Sequence, residues 1–111
     1  MSASENLRKS IEQLEKLGVD IDLPLLEAII KRQGPTNNSR DASLVAASSE
    51  REKKYVVKNF ISKKLQMDQI QGAEDLEKIL EVMGQVKIRN KQRAVVYYAL
   101  VRHYKKQGLY L

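Results

Sequence analysis

The chain has 111 residues, one histidine, no cysteine and a net charge of +6. That length suits one domain with one core, and the lack of cysteine excludes a disulfide framework, a thiolate metal site and a cysteine nucleophile. The charge is uneven: residues 1–50 carry six basic and eight acidic side chains (−2), whereas 51–111 carry fourteen and six (+8).

Leu7, Ile11, Leu14 and Leu17 recur at spacings of 4, 3 and 3, which predicts an amphipathic helix over Glu5 to Leu17, stopped by Gly18. Asp22 is a good N-cap for a second helix, and Pro24 falls in its first turn, where a missing N–H costs nothing. That helix runs to about Gln33 with Leu25, Leu26, Ile29 and Ile30 inward, and Gly34-Pro35 ends it. Residues 36–48 form a long irregular stretch, which in a small domain is either tied down or functional; Leu44, Val45, Ala46 and Ala47 suggest that it is tied to the core.

Ser49-Glu50-Arg51-Glu52 matches a capping box, with Ser49 as cap and Glu52 reaching back. The third helix follows to about Leu65 and should bury Val56, Val57, Phe60, Ile61 and Leu65. Residues 67–72 look like a connector. A fourth helix, about Ala73 to Met83, carries Leu76, Ile79, Leu80 and Met83 inward and ends at Gly84, with Glu74/Asp75 and Glu77/Glu81 as a solvated acidic face. Val86 and Ile88 alternate with Lys87 and Arg89, a hint of extended chain too short to make a sheet. Asn90 caps the fifth helix, which runs to about Gln107 with Gly108 as the stop. Its arc of Ala94, Val96, Tyr97, Leu100, Val101 and Tyr104 makes it the central element. The fold expected is all-α, one domain over 1–111, with about five helices.

The chemistry is sparse. His103 is the lone histidine, on the solvent side of the last helix, with no carboxylate three or four residues away to orient it. Asp20 and Asp22 are not followed by a calcium loop, and Gly34-Pro35-Thr36 and Gly84-Gln85-Val86 lack the glycines and Lys-Ser/Thr of phosphate loops. Without a nucleophile, base and orienter the expectation is a non-enzyme, with no cofactor and no metal. From Lys87 to Lys106 there are seven basic residues and no acid. Lys87, Arg89 and Lys91, with Tyr98, Arg102 and Lys105, are therefore the candidate contacts for an anion or nucleic acid. The plainer alternative is that Tyr98 closes the edge of the core while the cations are a solvated face whose stems cover apolar surface. Arg93 projects toward the apolar arc, and burying it unpaired would be very costly, so it should find a carboxylate among the first 81 residues. The tail, Gly108-Leu109-Tyr110-Leu111, either packs back or meets a partner.

Leu17-Gly18-Val19-Asp20-Ile21-Asp22, Gly34-Pro35, Asp41-Ala42-Ser43, Val57-Lys58-Asn59-Phe60, Lys63-Lys64-Leu65, Asn90-Lys91-Gln92-Arg93 and Tyr97-Tyr98 stand in that order. This ordered set resembles a family of small bacterial helical proteins, domain-of-unknown-function family 2853, over about residues 15–105. The resemblance implies a helical domain of about this length and assigns no functional residues. Two departures stand out: Gln66 where the family pattern has glycine, and Thr36-Asn37-Asn38 where it has an aromatic residue.

Taken together, the expected function is a small cytoplasmic interaction or accessory domain, protein-binding or self-associating. The alternative is weak, sequence-independent nucleic-acid binding through the basic half. The first residues lack the basic and apolar regions of a secretory signal, and the longest apolar run, Ala94 to Val101, is eight residues, against roughly 18 for a membrane span.

Overall fold

Most of the helices begin where a side chain can bond their first free amides, and end where the backbone can turn left-handed. In the computed structural model, which describes residues 3–33 and 43–111, five α-helices follow in order: α1 (Ala3–Leu17), α2 (Leu23–Gln33), α3 (Glu50–Tyr55), α4 (Gln69–Gln85) and α5 (Arg93–His103). The predicted stops at Gly34-Pro35, most of the 36–48 stretch and the Asp41-Ala42 pair lie outside the described residues.

Asp22 caps α2, its Oδ1 accepting from the Leu25 amide at 3.3 Å, and Ser49 caps α3, accepting from Glu52 N at 3.2 Å. The capping box is only half made, because the Glu52 carboxylate goes to Arg93 instead. The connector expected at 67–72 is helical from Gln69, because Asp68 Oδ2 accepts from Gln71 N at 2.8 Å and starts α4 four residues early.

At the other ends, Gly18 takes φ 70° at the close of α1, as expected. The end of α4 differs from expectation. Gly84 stays helical, and Lys87 takes the left-handed turn (φ 63°), with Ile88 N bonding Met83 O and Lys87 N bonding Gly84 O. Lys105 (φ 57°) closes α5 in the same manner, so that helix stops at His103, before the predicted Gln107. Gln107–Leu109 form a short 3-10 turn.

The third helix is not uniform. After Tyr55 it widens into a π-helical segment, Val56–Ser62, whose register persists in Lys63 N to Lys58 O (3.3 Å) and Leu65 N to Phe60 O (2.9 Å). It buries Val56, Phe60 and Ile61. The segment lies hard against α4: a Cβ on Gly72 would fall 2.5 Å from Ile61 Cγ2, so only glycine allows this approach.

The 43–48 stretch is tied down. Leu44–Val45 (β1) pair antiparallel with Lys91–Gln92 (β2), Leu44 opposite Gln92, a two-rung ladder that the sequence did not suggest. Asn90 does not cap α5; its first amide, Arg93 N, bonds Ser43 O at 2.8 Å. Helix α5 is central and is buried around more of its circumference than the predicted arc, with Val95 and Tyr98 joining Ala94, Val96, Leu100 and Val101. The core gathers Leu14, Leu25, Leu26, Ile29, Phe60, Leu65, Leu76 and Met83 around it. The tail packs back in part: Tyr110 lies against the core and Arg32 Nη1 bonds Leu109 O at 2.9 Å, while Leu111 stays exposed. Among the described residues no helix is long and apolar enough to cross a membrane.

Candidate anion-binding groove

The six candidate contacts do not form one site. Lys87 and Arg89 stand before α5, and Arg102 and Lys105 at its far end. The 11-residue helix between them spans roughly 16 Å at about 1.5 Å per residue.

Tyr98 has to be withdrawn as a contact. It is 1% exposed, and its hydroxyl is fully engaged: it donates to Asp20 O (2.7 Å) and accepts from Asp22 N (2.7 Å) and Arg102 Nη1 (3.0 Å). A buried phenol needs such partners. Here they lock the α1–α2 connection onto α5, so the ring is a strut of the core, and Arg102 spends one donor on it. Lys105 is exposed but belongs to the helix stop at the opposite end.

Arg93 behaves as its position demands. Its guanidinium is buried and pairs with Glu52, with further bonds to Leu44 O at 3.1 Å and Tyr97 Oη at 3.2 Å. One side chain thus joins α5, α3 and β1.

The remaining cations converge on a groove of about 340 Å³ between α1 and the 87–92 connection. Lys9 and Lys16 line it from α1, Lys87 and Arg89 from the other wall, and among the described residues one acid lines it, Glu12, which bridges to Arg8 at 2.9 Å. Lys16, Lys87 and Arg89 make no ion pair or side-chain hydrogen bond among the described residues. Lys91 does not line this groove, and its Nζ donates to Ile88 O at 3.0 Å. The two walls are pinned by one side chain: Gln13 Nε2 donates to Asn90 O (2.6 Å) and Gln13 Oε1 accepts from Gln92 N (3.0 Å). Gln13 thus ties the α1 wall of the groove to the 87–92 wall. Sequence reasoning found Lys87 and Arg89 but missed Lys9, Lys16 and Gln13. Their spacing of three to four residues on α1 shows only a shared helix face, and nothing local says that this face meets residues 87–92.

A second polar cluster also departs from the sequence reading. Asp75, expected on a solvated face, is buried on α4, accepting from Tyr104 Oη at 2.6 Å and Gln71 Nε2 at 3.0 Å. Burial works against its charge, but the Tyr104 and Gln71 hydrogen bonds and the nearby His103 and Lys78 outweigh that and hold the carboxyl below its usual range. Burial and the Asp75 hydrogen bond drive the Tyr104 phenol strongly upward. His103 Nε2 lies 3.6 Å from Asp75 Oδ2, so the exposed histidine does have a carboxylate beside it, supplied by α4 and not by its own helix. That distance is an ion pair when His103 is protonated, and too long for a hydrogen bond that would orient the ring. Among the described residues no group of three or more His, Asp and Glu side chains is placed to hold a metal.

A comparison with curated proteins finds no match. A family model described as protein of unknown function, DUF2853, matches residues 9–108, nearly the whole of the chain and of the core and groove described above. The chain belongs to that family.

Proposed function

We propose that this protein is a non-catalytic binding module, and that the groove between α1 and residues 87–92 takes an acidic segment of a partner protein. The observation that carries this is the trio Lys16, Lys87 and Arg89: three cations without an ion pair or side-chain hydrogen bond among the described residues, lining one concavity whose two walls Gln13 ties together. Isolated exposed cations are commonplace. Cations gathered around a preformed concavity attract a complementary chain and lose little order on binding it.

A polyanion such as nucleic acid is the second reading, and the burial of Tyr98 counts against it at this face. Single-strand binders combine a basic track with aromatic platforms, and among the described residues this groove is lined by four cations, Glu12, amides, Leu44 and Ile88 but no ring. The two readings separate by salt and competition. A fluorescently labelled peptide rich in Asp and Glu should bind, and a non-specific duplex DNA should displace it only weakly at about 150 mM salt. Tighter binding of the duplex, with affinity falling steeply as salt rises, would reverse the order of the two readings. Self-association is checked in the same samples by sedimentation, where a concentration-dependent dimer blocked by the acidic peptide would make a second copy the partner.

A further inference from the structure

A second, smaller pocket lies on another face, where α2, the π-helical segment and the C-terminal tail meet, and it shares no lining residue with the basic groove. The chain has six aromatic residues, five Tyr and one Phe, and four of them line this hollow of about 160 Å³. Phe60 and Tyr97 stack flat against each other, centroids 3.7 Å apart and planes 6° from parallel. Tyr55 and Tyr110 complete the aromatic set, and Tyr55 is 54% exposed, a large ring left in water. Asn59 and Phe60 both belong to the π-helical segment and both line the pocket, and such segments are frequent at functional sites. Asn59 Nδ2 donates to Tyr55 O at 3.3 Å, and its amide oxygen keeps its capacity to accept.

Charge at the rim narrows the ligand. Arg32 and Lys64 sit 5.0 and 5.1 Å from the centre of the Tyr110 ring, and no acid lines the pocket among the described residues. An aromatic cage for a methylated ammonium needs free ring faces and no competing cation, and here cations already hold the Tyr110 ring. Arg93 lies 5.8 Å from the Tyr97 ring and 5.9 Å from the Tyr55 ring but is neutralised by Glu52, so the net positive charge is that of Arg32 and Lys64. Arg32 has spent one of its five N–H donors on Leu109 O. The volume is below the roughly 300–1,000 Å³ of a pocket that swallows a whole drug-sized ligand, so a single ring system enters and its charged part stays at the rim.

The geometry points to a nucleotide site: a base against Tyr55 and the Phe60–Tyr97 stack, with its hydrogen-bonding edge toward Asn59 and its phosphate between Arg32 and Lys64. The site goes beyond the acidic-partner groove and stands or falls separately from it. A free nucleotide and a nucleotide within a single strand offer the same chemistry.

The test is a titration of the full chain with adenosine 5′-monophosphate, followed by amide and aromatic-ring NMR shifts. Shifts should cluster at Tyr55, Asn59, Lys64 and Tyr110, and adenosine or ribose 5-phosphate alone should bind about tenfold more weakly or worse. Tyr55→Ala and Lys64→Glu change exposed side chains and should leave the melting temperature nearly unchanged while each weakens binding about tenfold, the size expected for one stacking or one charge contact. A single-stranded adenylate oligonucleotide distinguishes the sources: tighter binding than the mononucleotide, still lost in Tyr55→Ala, means a strand, and equal or weaker binding means a free nucleotide. Binding of ribose 5-phosphate as tight as that of the nucleotide and indifferent to Tyr55→Ala, shifts confined to other faces, or no saturation at millimolar nucleotide would each overturn the assignment.

Discussion

Arg93 and the pair Lys87/Arg89 lie within seven residues of one another and have opposite fates. Arg93 is buried, and its guanidinium is bonded to Glu52, Leu44 O and Tyr97. Lys87 and Arg89 are exposed on a groove wall, with no acid paired to them among the described residues. Burial makes an unpaired charge too costly to keep, so a buried cation becomes structure, whereas an exposed one stays available to a partner. The structure thus divides one basic segment into a buried strut and an exposed groove wall.

The largest effect should come from the strut. Arg93→Ala leaves Glu52 without its partner and unties β1 from α5. With the Glu52 side chain 27% exposed, the cost should lie near or below the lower end of the roughly 3–5 kcal/mol typical of a broken buried pair. At about 4–8 °C per kcal/mol the melting temperature falls well outside error. An unchanged melting temperature would erase the distinction between the two regions.

Tyr98→Phe is the next step down. It keeps the ring and removes one hydroxyl that three groups share, leaving Asp22 N and Asp20 O short of partners, for roughly 1–3 kcal/mol. Thermal melts of this variant check whether Tyr98 is a strut, and a loss near zero would return it to the surface.

Lys87→Gly sharpens the comparison because its two effects should have opposite signs. The left-handed backbone at φ 63° costs a lysine about 1 kcal/mol that glycine does not pay, so the variant should be more stable by that order while binding the acidic peptide less well. Gln66 (φ 57°) shows the same geometry without the groove, so Gln66→Gly is the control that should gain stability and leave binding alone.

The smallest expected effect concerns acid. Asp75 has a carboxyl held below its ordinary value near 3.9, so its contribution is present above about pH 4 and is lost as pH falls through the lower folded value. Urea unfolding at pH 5 and near pH 2 should therefore show a smaller acid loss for Asp75→Asn than for the parent chain. Equal losses would mean that the Tyr104 and Gln71 bonds do not favour its charged form.

What could be foreseen follows from the range of each interaction. Helix periodicity, the caps at Asp22 and Ser49 and the glycine stop at Gly18 are set within four or five residues, and they are where the sequence placed them. The pairing of Arg93 with an acid was legible because its position on the apolar arc left only escape through the first turn or an acid partner. Features that depend on distant segments were not. The Leu44–Val45 ladder with Lys91–Gln92, the α1 wall of the groove and the Asp75–His103 approach each join residues far apart in the chain. The π-helical widening hid inside a normal helical pattern, and the stop at Lys87 was misplaced because glycine, three residues earlier, is the usual occupant of that conformation. Gln66 belongs here too: it is left-handed at φ 57°, a conformation usually taken by glycine, and no local signal marked the turn.

The most direct test of the groove reverses its free cations together. In Lys16→Glu/Lys87→Glu/Arg89→Glu none of the three side chains has a partner to lose among the described residues, so the melting temperature should stay within a few degrees of the parent, at roughly ±0.5 kcal/mol per surface change. Fluorescence anisotropy of the labelled acidic peptide should then show binding reduced at least about a hundredfold, since three attractive charges become repulsive ones. A folded triple variant that still binds the peptide as the parent does would contradict the assignment and leave Lys16, Lys87 and Arg89 as an ordinary solvated surface.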